Sequence, residues 1–191
     1  MQVELLRFPI EEDWIGCKAR ALVTVGKNSI TPPDEDWKRS ILRAKHSPIR
    51  YQPFSFKLTG VPYWVSVHLC RHVHAQPYVR SQRNDRQQKY DRNTAPQNEP
   101  VDMIWDLNAE ELITVCEKRL CRQASAETRQ VVMQIRDLVL KHCPEFSHVL
   151  APRCVRNRVC DEMFPCEYGK RLNQQRWDLP GYIKNGGNED V

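Results

Sequence analysis

The sequence predicts a mixed α/β chain, one domain followed by a tail, and three observations carry that expectation. Two segments alternate apolar and polar residues at the period of a strand. Four others begin at helix-start residues and continue with apolar positions at helical spacing. The 191 residues are enough to bury one core, and 40 % hydrophobic with 28 % charged residues is an ordinary globular balance.

In chain order, residues 2–8 (QVELLRF) alternate weakly and read as a strand. Residues 35–45 (EDWKRSILRAK) follow Pro33 and Asp34 and form a short amphipathic helix with Trp37, Ile41 and Leu42 on its apolar face. Residues 53–59 (PFSFKLT) place Phe54, Phe56 and Leu58 on one face of a half-buried strand that ends at Gly60. Pro62 opens a helix through YWVSVHLCRH, carrying His68, Arg71 and His72 near its end. Residues 80–100 are polar, with Pro96 and Pro100, and read as an exposed connection.

Asn108 with Glu111 three residues later has the capping-box pattern, and Leu112, Val115, Cys116 and Leu120 follow at helical spacing. Ser125 and Glu127 start another helix, with Val131, Val132, Ile135, Leu138 and Val139 on its apolar face, stopping before Pro144. The domain is set at residues 1–150. Residues 151–191 form a cysteine-containing tail of little periodicity, packed over the core and frayed after Ile183.

No run approaches the roughly 20 apolar residues of a membrane helix. The N-terminal MQVELLRFPIEEDW puts acidic residues where a signal peptide has an apolar stretch. The expectation is a cytoplasmic protein whose eight cysteines are reduced thiols. A net charge of +5, supplied mostly by arginine, favours an anionic partner, either a nucleic acid or a phosphorylated small molecule. The two commonest glycine-rich phosphate cradles are absent.

Three groups of residues have the chemistry for a site. Arg71-His72, then Arg80-Ser81-Gln82-Arg83 with Arg86 and Arg92, present guanidinium, hydroxyl and amide groups suited to phosphate; a solvated basic loop explains them equally well. With only Tyr78 and Tyr90 as interleaved aromatics, an RNA-binding arm is disfavoured. Lys118-Arg119-Leu120-Cys121-Arg122 closes a helix, where basic residues also complement the helix dipole. Cys154, Cys160 and Cys166, with Cys143 and His148 nearby, are candidate zinc ligands, but without a CxxC knuckle free thiols are preferred and no metal is assigned. Cys70 or Cys121 beside arginine is a candidate for a depressed thiol pKa, outside any nucleophile motif.

These fragments, taken in order, resemble the flavin-dependent thymidylate synthases. RHVHAQPYVRSQR (71–83) matches that family's signature at Arg71, His72, Ser81 and Arg83. HSPIRYQPFSFKLTG (46–60) is similar to its His-x-Ser stretch and Phe-x-Phe strand. RNTAPQN (92–98) resembles its Arg-Pro-Asn turn, Asn108-Ala109 stands at its helix start, and KRLCRQASAETR (118–129) keeps Arg119, Ala124, Glu127 and Arg129 in step. The departures are Val73 for the third signature arginine, Tyr78-Val79 for an Asn-Glu pair, Arg50-Tyr51 for a Glu-His pair, and a short segment after the signature. They mark a divergent, short branch of phage type.

The resemblance implies an antiparallel sheet with packed helices, assembled as a homotetramer with active sites between subunits. It implies FAD as cofactor, NADPH and methylenetetrahydrofolate as co-substrates, and methylation of dUMP to dTMP in a bacterial or phage-infected cytosol. Arg71, His72 and Asn108 would contact FAD. Ser81, Gln82 and Arg83 would hold the nucleotide phosphate, with Arg92 adding charge from another subunit. Arg119 would be the catalytic residue at the uracil ring. Membrane and nucleic-acid partners are not expected. The alternatives are pyrimidine hydroxymethylation on the same scaffold, a non-catalytic nucleotide- or nucleic-acid-binding relative, and a metal-stabilised interaction protein built on the tail.

Overall fold

The computed structural model describes residues 1–28, 30–86 and 90–177. Its four strands are β1 (Gln2–Arg7), β2 (Pro53–Pro62), β3 (Gln76–Val79) and β4 (Pro100–Asn108). They form one antiparallel sheet in the order β1-β2-β4-β3. The helices among the described residues are α1 (Glu11–Val23), α2 (Glu35–Ala44), α3 (Tyr63–Cys70), α4 (Ala109–Arg119), α5 (Ala126–His142), α6 (Arg153–Asn157) and α7 (Glu167–Trp177). The mixed α/β class and the antiparallel sheet are as expected.

The register explains the core. Phe54 stands opposite Leu107, Phe56 opposite Trp105 and Leu58 opposite Met103. All six are buried, because period-two alternation sends them to the same face. That face packs with Leu112, Val115 and Cys116 of α4 and with Val131, Val132, Ile135 and Val139 of α5. Phe146 meets Phe54 edge-on at 5.4 Å between ring centroids. Each such side chain contributes roughly 1.5–3 kcal/mol by leaving water. The other face presents Ser55, Lys57, Ile104 and Asp106, the alternation of a sheet covered on one side.

Caps fall where the sequence puts them. Asp34 accepts the backbone N–H of Trp37 at 2.8 Å to start α2, and Ser125 accepts that of Thr128 at 3.4 Å to start α5. Asn108 accepts the N–H of Glu111 at 3.0 Å, but Glu111 does not complete the box: its carboxylate turns to His72 instead.

Several expectations are corrected. β2 does not stop at Gly60. It continues to Pro62 through a register shift between Leu58 and Val61, where Gly60 takes φ +66° and donates its N–H to Asp102. α3 ends at Cys70, so Arg71 caps it and His72 lies beyond. The connection read over 80–100 ends at Glu99, since Pro100 begins β4. The tail contains helices α6 and α7, and the fraying expected after Ile183 lies outside the described residues. Two strands and α1 were not anticipated. β4 carries a clear signal in Val101, Met103, Trp105 and Leu107. β3 is four residues with a proline, ordered by pairing with β4, and α1 buries only Asp13, Trp14 and Cys17.

Candidate functional site

The helix-start chemistry of α4 builds the first half of the site. Glu111 is 4 % exposed and His72 8 % exposed, so neither polar side chain can rely on water. His72 Nδ1 lies 3.0 Å from Glu111 Oε1, and its Nε2 lies 3.1 Å from Arg119 Nε. An arginine Nε–H can only donate, so Nε2 is the acceptor and the ring proton sits on Nδ1, donated to Glu111. Arg119 also donates to the His68 carbonyl at 3.1 Å. Trp105 closes one side, edge-on to the His72 ring at 6.1 Å. Asn108, Glu111, His72 and Arg119 therefore form one hydrogen-bonded relay, joining the start of α4 to its last turn across the end of α3.

Arg119 is half-buried, and its guanidinium pKa is lowered by that burial first and by the nearby Arg71 charge second. Its hydrogen-bond partners here are neutral acceptors, so its positive charge remains available to an anionic ligand. Arg71 is exposed beside it. The structure thus brings together Arg71, His72, Asn108 and Arg119, and adds Glu111. The sequence signal for Glu111 was present but read only as a capping partner.

Next to this relay lies an open cleft of about 620 Å³ across the end of the sheet. Asn108 and Val73 border it, with Arg7, Arg50, His74 and Asp106 as its ionisable groups. Arg50 is held by Glu110 at 2.5 Å, which raises the Arg50 pKa. Asp106 Oδ1 is buried with no hydrogen-bond partner among the described residues, an acceptor open to a donor from a ligand. Two departures from the family pattern, Val73 and Arg50, sit in this cleft: one removes a cation and the other supplies one.

The second half of the site is elsewhere. Ser81 and Gln82 line a small depression with Arg80 and Tyr90. Arg83 forms a forked pair with Asp85, at 2.9 and 2.6 Å, and holds that carboxyl below its usual range. Arg92 donates its backbone N–H to Asn84 at 3.2 Å, closing the loop on itself. This loop leaves the sheet where Arg80 N–H meets the Asp102 carbonyl. Asp102 is six residues along β4 from Asn108, or about 20 Å at strand rise. The loop that carries Ser81, Gln82 and Arg83 leaves β4 at its Pro100 end, and the Asn108 cap stands at the other.

The cysteine expectations divide. Cys70 does not have a depressed pKa; partial burial pushes its thiol up, despite the adjacent arginine. Cys143 is a core residue whose thiol is pushed up to about 12, by burial first and then by Glu145. His148 donates Nε2–H to the Arg39 carbonyl at 3.0 Å. Neither stands with the tail cysteines.

The chain thus combines an antiparallel sheet covered by helices on one face, a hydrogen-bonded Glu111–His72–Arg119 relay and, beside Asn108, an open cleft. Residues 89–145 match the family model described as thymidylate synthase complementing protein. The match holds Arg92, all of β4, the Asn108 cap, Glu111 and Arg119, and it bears out the resemblance read from the motifs. No curated protein sequence matches the chain. No helix among the described residues is long and apolar enough to cross a membrane.

Proposed function

We propose that the chain is a flavin-dependent thymidylate synthase that methylates dUMP to dTMP, with methylenetetrahydrofolate as one-carbon donor and NADPH as reductant. The observation that carries this reading is the relay from Asn108 through Glu111 and His72 to Arg119, which lies in or beside the matched stretch and leaves a half-buried guanidinium charge free for a ligand.

The residues of the cleft suit a flavin dinucleotide. Arg7 and Arg50 border the cleft, paired with Asp13 at 3.7 Å and with Glu110 at 2.5 Å, and would exchange those carboxylates for a diphosphate; Asp106 Oδ1 is an acceptor that lacks a donor. Of the residues that the resemblance assigns to FAD, Asn108 borders the cleft and Arg71 is exposed beside Arg119, whereas both ring nitrogens of buried His72 are already engaged by Glu111 and Arg119, so His72 acts through Arg119. Bound there, FAD supplies hydride chemistry that no side chain can.

The protein's part is charge and position. Arg119 stabilises negative charge on the uracil oxygens as the ring is activated, a fixed donor aimed at developing charge. His72 fixes the Arg119 Nε, and Glu111 fixes the His72 tautomer. Ser81, Gln82 and Arg83 bind the dUMP phosphate, with Arg83 exchanging Asp85 for it, and Arg92 adds a second charge. These groups reach the uracil pocket from a neighbouring copy in a homotetramer.

A second reading, hydroxymethylation of the same pyrimidine, is favoured by one feature: Val73, 82 % exposed, stands in the cleft where the pattern has arginine. One incubation distinguishes the readings. Protein mixed with FAD, NADPH, methylenetetrahydrofolate and dUMP yields a product heavier than dUMP by CH2 in the first case, where methyl replaces the C5 hydrogen, and by CH2O in the second, where hydroxymethyl replaces it. Protein that takes up no FAD and returns dUMP unchanged overturns both.

A further inference from the structure

The eight cysteines do not scatter. Cys17, Cys116 and Cys143 are buried in the core, where burial holds their thiols at about 11, 12 and 12, and they pack as small hydrophobes. Cys70 is exposed at the end of α3. The remaining four, Cys121, Cys154, Cys160 and Cys166, all line one cavity of about 240 Å³ between the α4–α5 turn and the tail. None is in a disulfide.

We propose that Cys121, Cys154, Cys160 and Cys166 are the ligands of a structural zinc-class divalent cation that ties the tail to the α4–α5 turn. Four thiolates satisfy a tetrahedral soft cation completely, as in closed structural zinc sites. Binding exchanges four S–H protons for four S–metal bonds, with no change of oxidation state. The net negative charge of the product is offset in part by Arg122, which lines the same cavity, while the carboxylate of Glu162, also in the lining, is paired with Lys118 at 3.4 Å.

Two further observations point to this place. Cys160 is set with unusual care: Asn173 accepts its N–H at 2.8 Å and donates to its carbonyl at 2.7 Å. A side chain on Gly169 would place Cβ 2.8 Å from the Cys160 sulfur, so only glycine lets α7 approach so closely.

The tail already leans on the same turn. Arg156 pairs with Glu117 at 2.8 Å, and Gln123 donates to the Phe164 carbonyl. Among the described residues no three His, Cys, Asp or Glu groups stand converged as a finished metal cluster. The cation draws the thiols inward from the cavity walls and closes the cavity. The sequence showed the tail triplet; the fourth ligand, Cys121, is found only once the fold returns residues 152–166 to the end of α4.

The test is independent of the flavin reading. The chain is purified from zinc-supplemented cells and its metal content measured, and the metal-stripped chain is titrated with Zn²⁺ and with Co²⁺. The expected result is one zinc per chain and, with Co²⁺, intense thiolate-to-cobalt charge-transfer absorption. Cys121→Ser and Cys160→Ser each lose at least about tenfold in zinc affinity, the floor for changes even outside the ligand sphere, whereas Cys70→Ser keeps wild-type affinity. Alkylation of the unmutated chain, mapped by mass spectrometry, covers the case in which a variant fails to fold: zinc protects Cys121, Cys154, Cys160 and Cys166 and leaves Cys70 reactive. Zinc that protects none of the four, full zinc affinity in Cys121→Ser, or a disulfide between any two of them in the purified chain overturns the proposal.

Discussion

The two ends of β4 are built to different standards. At the Asn108 end, the strand runs into a capped helix, and the buried pair Glu111–His72 is hydrogen-bonded on to half-buried Arg119. At the Pro100 end, Arg83 and Asp85 hold each other in solvent, each about 60 % exposed. Buried polar groups need every partner in place, so the first end must be finished within the chain. An exposed forked pair is worth little and is readily exchanged for another anion. The difference suits a site in which one end shapes the ring environment in advance and the other contributes phosphate-binding charge to a neighbouring copy.

The largest effect is expected from breaking the finished end at its ligand face. Arg119→Ala removes a preorganised donor and lowers turnover by about 10²–10³-fold, measured by steady-state dTMP formation. Removing the exchangeable charge comes next. Arg83→Ala weakens dUMP binding by about 2 kcal/mol, the lower range for charges desolvated at an interface. Its thermal unfolding stays within about 0.5 kcal/mol of the parent, as for other surface changes. Calorimetric titration and thermal denaturation separate the two quantities.

Glu111→Ala sharpens the comparison from the stability side. It leaves the His72 Nδ1–H buried without an acceptor, at a cost of about 1–2 kcal/mol. For a chain of this length that lowers the melting temperature by a few degrees. The same truncation at Asp85, at the exposed end, leaves the melting temperature unchanged.

The smallest effect concerns Glu145, which takes part in neither group. Burial is the main cause of its raised carboxyl pKa, with Glu35 adding to the rise and Lys38 opposing it. A folded value above the unfolded one, about 4.3, makes its contribution to stability complete below that pH and lost as pH rises through the folded value. Glu145→Gln flattens this slope and raises stability at neutral pH by less than about 1 kcal/mol, read from urea unfolding at several pH values.

How much of this was legible in the sequence follows from which signals are local. α2, α4 and α5 announce themselves by caps and period, because both act within a few residues. The motif residues Arg71, His72, Asn108 and Arg119 were visible by resemblance, and the fold brings them together. Glu111's service to His72 was not visible, since it depends on a contact across 39 residues. β4 could have been found, as its alternation is regular, but a polar neighbourhood and Pro100 drew the reading toward a loop. β3 could not, because its order comes from the strand beside it. Cys121 stayed hidden among the metal candidates for the same reason: only the return of the tail makes it a neighbour of Cys154.

The central claim, that a complete site takes Arg119 from one chain and Arg83 from another, is tested most directly by mixing. Arg119→Ala and Arg83→Ala proteins, each impaired alone, are unfolded, combined and refolded, and dTMP formation at dUMP well below saturation of the Arg83→Ala protein is measured against each variant refolded by itself. Recovery of a substantial fraction of parental activity in the mixture alone is the predicted result. A mixture no more active than its components, although mass spectrometry shows mixed assemblies, contradicts it.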